Sequence, residues 1–269
     1  MEYKIASVQD INWKMSNSSY EWHTRNGSME IGNNSVWEWH PVISSELKSF
    51  IYICQNLSPA NFIDIGAHCG IFSSVYCSIV NEHRCYSIEP IEGHMDRLKE
   101  TADINAWNLT THQIGLSDEK KKMYYHNTHM AMFTENADYD VPAEIVNGIP
   151  ENAILKEIQI DTLDNFIVDE KIIPELIKID VEGYEVPILR KSAELIEKYK
   201  PILFMESHRD ECDNLGWKIQ EMTKYMDMEN YIFYTHCLSE RISDLERFLI
   251  DEGSNKRFIG IPKRLHTSL

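Results

Sequence analysis

Apolar residues in this chain fall into short blocks set off by glycine, proline and polar punctuation, and the blocks alternate between two periods. Phe62–Ile65, Arg84–Ile88, Thr110–Ile114, Pro174–Ile179 and Pro201–Met205 are short apolar runs rich in branched residues, the mark of buried strands. Between them lie helical stretches. In Glu46–Asn56, Leu47, Phe50, Ile51 and Cys54 share one face; Ile71–Cys77 is an apolar run; in Gly93–Asn105, Met95, Leu98, Ala102 and Ile104 supply the apolar side. A helix over 184–199 tolerates Pro187 in its first turn, a short helix starts at Asp161–Phe166 with Asp161 or Thr162 as cap, and another helix covers Trp217–Met228. Tyr231–Cys237 and Arg257–Ile261 complete the pattern as two last strands. Strand and helix in regular alternation predict an α/β protein with a doubly wound sheet, five βα units closed by a terminal strand pair.

Two stretches break this rhythm. Residues 1–45 are rich in Asn, Ser, Trp and His, with turn signals at Asn26-Gly27-Ser28 and Gly32-Asn33-Asn34-Ser35. They predict an N-terminal cap ahead of a main domain over 46–269. Its Trp22, His23, Trp37, Trp39 and His40 either line an acceptor pocket, since aromatic faces bind flat ligands and sugar rings, or pack the cap on the core. Within 119–160, Lys122–His126 and Ile154–Ile160 alternate like antiparallel strands around a Met-, Asn- and Asp-rich loop with Pro142 and Gly148-Ile149-Pro150. That pattern predicts an inserted β-hairpin.

Charge narrows the partners. With 26 basic and 43 acidic residues among 269, the net charge is −17. Such a surface repels phosphate backbones, so nucleic acid is not an expected partner, and no basic cluster marks a pocket for an anionic small molecule. No apolar run is long enough to span a membrane, and Met1-Glu2-Tyr3-Lys4 lacks the pattern of a signal peptide. The 6 cysteines form no C-x-x-C pair and several sit in apolar blocks, which points to a reducing, cytoplasmic setting.

The chemistry concentrates where strands end. Phe62-Ile63-Asp64-Ile65-Gly66-Ala67-His68-Cys69-Gly70 is strand, glycine turn and helix start, the corner of a doubly wound sheet that meets a nucleoside or phosphate. His68 stands where a dinucleotide fingerprint needs glycine, and no Gly-Lys-Ser/Thr of a P-loop follows. Glu89, 25 residues beyond Asp64 and just ahead of Pro90, sits at a strand tip where a carboxylate can take two ribose hydroxyls. Asp180 and Glu206 end neighbouring strands, with His208 two residues on.

Taken in order, these motifs resemble the FkbM family of class I S-adenosylmethionine-dependent methyltransferases. The stretch 62–70 is similar to its D-x-G-A-N-x-G, Glu89-Pro90 to its E-P, Gly115–Asp118 to its A-L-S-D and Thr162-Leu163-Asp164 to its T-L-D. Lys178–Glu185 is similar to its K-I-D-V-E-G-x-E, and Pro201–Glu206 to its closing P-x-x-x-x-E. His68 departs from the pattern, where Asn is common. The resemblance implies the Rossmann-like seven-stranded sheet of class I methyltransferases and methyl transfer to a hydroxyl of a sugar, glycan or natural-product acceptor. It implies cofactor contacts at Asp64, Gly66, Ala67, His68, Gly70, Glu89, Leu116, Ser117 and Asp180.

A hydroxyl is a poor nucleophile unless its proton leaves as the new bond forms. Asp180, Glu206 and His208 are therefore the expected catalytic groups, acting as base or, through Asp180 and Glu206, holding a magnesium or manganese ion. Glu182 and Glu185 are expected to cap the following helix. Two alternatives share the cofactor motifs: methyl transfer to nitrogen of a small amine or peptide, and a non-catalytic cofactor-binding module.

Overall fold

The structure, a computed structural model, describes residues 3–8, 10–25, 29–31, 37–39, 41–80, 84–126, 133–135, 155–251, 253 and 255–268. The chain opens with strands β1 (Tyr3–Val8) and β2 (Ile11–Ser16), helix α1 (Asn17–Arg25) and strands β3 (Met29–Ile31) and β4 (Trp37–Trp39). These strands form a small sheet in the order β2-β1-β4-β3. Helix α2 (Pro41–Leu57) leads into the main domain: β5 (Asn61–Ile65), α3 (Ile71–Ile79), β6 (Arg84–Ile88), α4 (Glu92–Asn105) and β7 (Leu109–His112). Next come β8 (Gly115–Ser117), β9 (Lys121–His126), β10 (Phe133–Thr134) and β11 (Leu155–Thr162), a second small sheet in the order β10-β9-β11-β8. The rest is α5 (Leu163–Glu170), β12 (Leu176–Ile179), α6 (Glu185–Lys191), α7 (Ala193–Tyr199), β13 (Ile202–His208), α8 (Arg209–Asn214), β14 (Tyr231–Thr235), β15 (Arg241–Ile242), α9 (Leu245–Ile250) and β16 (Asn255–Pro262).

The main sheet runs β15-β14-β16-β13-β12-β5-β6-β7, with β7 to β13 parallel and β16 antiparallel to both its neighbours. This is the doubly wound sheet the sequence predicts, with eight strands rather than seven because the two-residue β15 adds an edge. The chain winds outward from β5 in one direction and from β12 in the other, so the carboxyl ends of these two strands flank the switch point where ligands of such sheets bind. Both faces are covered. Alternation along β5 sends Ile63 and Ile65 to one core with Leu163, Val186 and Leu203, and Phe62 to the other with Phe50, Phe72 and Phe204.

Strands β1 and β2 are part of that second core. Ala6, Val8, Trp13 and Met15 are buried in it, and β2 is stitched to α4 by Lys14 N–H donating to Asn105 Oδ1 and Ser16 N–H donating to Thr101 Oγ1. Other elements depart from expectation. The helix expected over 184–199 breaks between α6 and α7 at Ser192, whose hydroxyl bonds back to the Ile188 carbonyl. The Trp217–Met228 helix is only a 3-10 segment, Ile219–Lys224, preceded by α8. Thr162 caps α5, its hydroxyl accepting from Asn165 N–H. Strands β9 and β11 pair antiparallel as expected of the insertion, while Pro142 and Gly148-Ile149-Pro150 lie outside the described residues. No helix among the described residues is long and apolar enough to cross a membrane.

Candidate active site

The glycine turn after β5 is tied to β6: the Gly66 and Ala67 amides both donate to the Ile88 carbonyl, at 2.9 and 3.0 Å. Gly66 and Gly70 take φ of 75° and 80°, left-handed values that glycine adopts without strain. What approaches them closely is the chain itself. A Cβ at Gly66 would lie 1.8 Å from the Asp180 carbonyl oxygen, and one at Gly70 would lie 2.1 Å from Leu98 Cδ1. His68 is also left-handed, at φ 53°, a region that Asn and His tolerate better than most residues. Its ring centroid lies 3.9 Å from that of His94 and 6.4 Å from that of His23 on α1. Burial, His94 and His23 hold the His68 pKa well below its ordinary value.

Asp64 lies beneath this turn, fully buried. Its Oδ2 accepts from the Ser73 amide and hydroxyl at 3.2 and 2.6 Å, and its Oδ1 stands 3.5 Å from Lys178 Nζ. Through Ser73 the buried Asp64 carboxylate ties the end of β5 to the start of α3. Glu89 is at the tip of β6, where Oε2 accepts from the His68 amide and Oε1 from the Ile91 amide, both at 2.9 Å. His94 Nδ1 also lies 3.5 Å from Oε1, and the Oε2 acceptor beside the turn fits a ribose hydroxyl of S-adenosylmethionine. Leu116 and Ser117 differ from expectation. The third strand, expected over Thr110–Ile114, stops at His112, and they belong to a separate strand, β8, buried and paired with Asp161 and Thr162.

A charged cluster faces this turn across the switch point. Lys178 on β12 is buried; its ammonium stands 3.1 Å from Asp180 Oδ2 and donates to the Gly66 carbonyl at 3.2 Å. Burial works against the charge of Asp180, but Lys178 and His208 outweigh it and lower its pKa. Glu206 and His208 lie inside β13, not beyond its end, because that strand stays paired with β16 as far as His208 and Asn255. His208 is buried, with Nδ1 2.7 Å from Glu185 Oε1. Its Nε2 faces Asp180 Oδ1 at 3.9 Å, Glu182 Oε2 at 3.5 Å and Glu206 Oε1 at 3.6 Å. Burial opposes a proton on His208, yet the Glu185 hydrogen bond and the surrounding carboxylates win and raise its pKa to about 9. Glu185 sits in the first turn of α6, and its carboxylate also accepts from the Gly183 amide ahead of the helix at 3.1 Å rather than from a helical amide. Glu182 does not cap the helix: its backbone is left-handed at φ 51° and its exposed carboxylate turns toward His208.

Sequence reasoning missed the partners of Glu206. Arg257 on β16 binds it in a fork, Nε to Oε2 at 2.9 Å and Nη2 to Oε1 at 2.6 Å, and also lies 3.4 Å from Glu46 on α2. Burial pushes the Glu46 pKa to about 8. The fork removes Glu206 from the cation-binding pair expected with Asp180. Asp180, Glu182 and His208 do place ligand atoms within 4.8 Å of one another, but they form an acidic group around a protonated imidazole, and nothing in it calls for a cation. Lys178 was signalled by its place in a buried apolar strand, where a lone charge needs partners. Glu46 and Arg257 carried no such signal.

Of the expected acceptor residues, His23 is buried in the cap beside His68. Trp22 lies on α1, and Trp37 and Trp39 on β4, which directly precedes α2; their side chains, like His40, lie outside the described residues. A concavity of about 360 Å³ opens at the same edge of the sheet between β14, α9 and β16.

The Methyltransferase FkbM domain model matches residues 64–233, which contain the turn, Glu89, the K-I-D-V-E-G stretch, Glu206 and His208. No curated protein matches the chain. Among solved structures, the FkbM methyltransferase of Methylobacillus flagellatus KT aligns over 75% of this chain at 16% identity and a TM-score of 0.44; the chain spans 43% of that protein's length. An O-methyltransferase of Bacillus cereus solved with SAH aligns over 91% of this chain and 90% of its own at 11% identity and a TM-score of 0.45. With most of its length matched by the family model, and with that model's span containing both the glycine turn and the charged strand ends, the chain belongs to the FkbM methyltransferase family.

Proposed function

We propose that this protein is an S-adenosylmethionine-dependent O-methyltransferase that methylates a hydroxyl of a sugar, glycan or natural-product acceptor, with His208 as the base. The observation that carries this reading is the His208–Glu185 pair at 2.7 Å, set at the carboxyl end of the sheet beside Asp180. When bound, S-adenosylmethionine supplies a methyl group on a sulfonium, an electrophile that needs no further activation. The turn at 66–70 and Glu89 hold the cofactor; Lys178, bonded to Gly66 and paired with Asp180, keeps the turn and the acidic cluster in register.

The acceptor hydroxyl must lose its proton as the oxygen forms its new bond. Glu185 fixes the proton on Nδ1 of His208 and leaves Nε2 to accept the one released, while Asp180 and Glu206 stabilise the resulting imidazolium. A base with a pKa of about 9 is mostly protonated at neutral pH, so the rate rises with pH through that value.

The test is methyl transfer from S-adenosylmethionine to a panel of sugars, glycosides and small amines, with product mass measured. Methylated hydroxyl compounds are expected. His208→Gln should lose ~10²–10⁴-fold in rate while S-adenosylhomocysteine still binds. Turnover confined to amines, or a His208→Gln enzyme as fast as the parent, would overturn the reading.

A further inference from the structure

Three carboxylates face Nε2 of His208, and two of them are committed elsewhere. Asp180 is paired through Oδ2 with Lys178 at 3.1 Å, and Glu206 is held in the fork of Arg257. Glu182 differs. Among the described residues its carboxylate makes no hydrogen bond, and its one ion pair is with His208, Oε2 to Nε2 at 3.5 Å. Its side chain is 75% exposed, against 27% for Asp180, so it stands at the mouth of the cleft rather than in its wall.

The fold aims it there. Glu182 has φ 51°, a left-handed conformation unfavourable for a residue with a Cβ, which persists only where the surroundings impose it. Glu185 pins the backbone on either side, accepting from the Val181 amide through Oε1 at 3.4 Å and from the Gly183 amide through Oε2 at 3.1 Å. Cys212 Sγ donates to the Gly183 carbonyl at 3.3 Å. Gly183, at φ 104°, passes so close to α8 that a Cβ there would lie 2.8 Å from Glu211 Cβ. Glu185 Oε1 is also the partner of His208 Nδ1. One buried carboxylate therefore sets both the base and the backbone that carries Glu182, and with them the spacing between the two.

That spacing matters once the base is ready to act. While His208 is protonated, its Nε2–H faces Glu182. When Nε2 has lost that proton, an imidazole nitrogen and a carboxylate oxygen are two acceptors 3.5 Å apart with no hydrogen between them. A single hydroxyl cannot satisfy both, because its one proton goes to Nε2. Its oxygen lone pairs would then meet the Glu182 carboxylate. A second hydroxyl on the neighbouring carbon replaces that repulsion with a hydrogen bond, since gauche hydroxyl oxygens lie about one hydrogen-bond length apart.

We propose that Glu182 selects the acceptor: it accepts a hydrogen bond from the hydroxyl next to the one being methylated, so the substrates are vicinal diols and the products their monomethyl ethers. This rests on the O-methyltransferase reading and adds which hydroxyls the enzyme takes. The neighbouring hydroxyl keeps its proton; only the reacting one gives its proton up, to Nε2.

The test uses the full chain at saturating S-adenosylmethionine. The hydroxyl compounds methylated in the panel, with methyl glucoside, methyl galactoside and a cyclohexane bearing two adjacent hydroxyls, are compared with analogues lacking one hydroxyl, cyclohexanol among them. Product mass and kcat/KM are measured for the parent and for Glu182→Ala. In the parent, loss of the hydroxyl beside the methylated one should lower kcat/KM at least about tenfold, as for a hydrogen bond to a charged group, and loss of a remote one should not. In Glu182→Ala the diol should slow by a similar factor, and the ratio of diol to deoxy compound should shrink to within about threefold. Any change in His208 itself acts on both compounds and cancels in that ratio. A parent that treats diol and deoxy compound alike would overturn the assignment. So would a Glu182→Ala enzyme that discriminates as before, or faster turnover when an amino group replaces the neighbouring hydroxyl. Those outcomes leave the methyltransferase reading standing. If S-adenosylhomocysteine binds and no hydroxyl compound is methylated, O-methylation falls and this assignment falls with it.

Discussion

Two histidine environments sit at the carboxyl edge of the sheet, and they are tuned in opposite directions. Beside the glycine turn, burial, with Arg97 and His94 adding to it, lowers the pKa of His23 to about 3, and His68 is likewise held well below its ordinary value. Across the switch point, His208 is just as deeply placed but is raised to about 9. Burial has the same sign in both, since it always disfavours the cation. Neighbours make the difference. His23 and His68 meet other imidazoles and Arg97, while His208 meets four carboxylates. One side of the site is thus a buried group of imidazoles that resist a proton, and the other holds one.

The hardest way to break this contrast is Glu185→Ala. It removes the acceptor of His208 Nδ1 and of the Gly183 amide at once, both buried. A loss of about 3–5 kcal/mol in chemical denaturation is expected, as for other broken buried pairs. The sign follows from the raised pKa: His208 contributes stability that is fully present below its ordinary pKa near 6.5 and lost as pH rises through about 9. In Glu185→Ala that alkaline loss should vanish, and a mutant that keeps the parental slope between pH 7 and 10 would contradict the assignment.

Glu89→Ala acts on the other side. Removing a carboxylate that would take two ribose hydroxyls should weaken S-adenosylhomocysteine binding by about 1.5–3 kcal/mol. Because Glu89 also accepts from the His68 and Ile91 amides, the melting temperature should fall as well. Equal affinity of mutant and parent in calorimetry would show that the carboxylate serves the turn alone.

The smallest effect sharpens the comparison at acid pH. A histidine with a depressed folded pKa binds its proton only in the unfolded chain between about 3 and 6.5, so stability should fall as pH drops through that window. For His23 the slope is at most about 1.4 kcal/mol per pH unit. Urea midpoints at pH 5 and 7 should converge in His23→Leu relative to the parent; an unchanged difference would assign the acid sensitivity elsewhere.

Local pattern determined much of this protein. The strand blocks around Ile63, Ile177 and Leu203, the turn at Gly66–Gly70 and the acids at strand tips all express rules of short range: period-two burial, left-handed glycine, and carboxylates where parallel strands end. The same rules put Glu89, Asp180 and His208 at one edge of the sheet. They did not show that Leu116 and Ser117 form a strand, since β8 exists only because β11 returns, across the inserted segment, to pair with it. Nor could they show that Arg257 would clamp Glu206 with Glu46 behind it. Those contacts join residues far apart in the chain. Their energies depend on burial and on which charges face one another, and both arise only once β13, β16 and α2 have packed together.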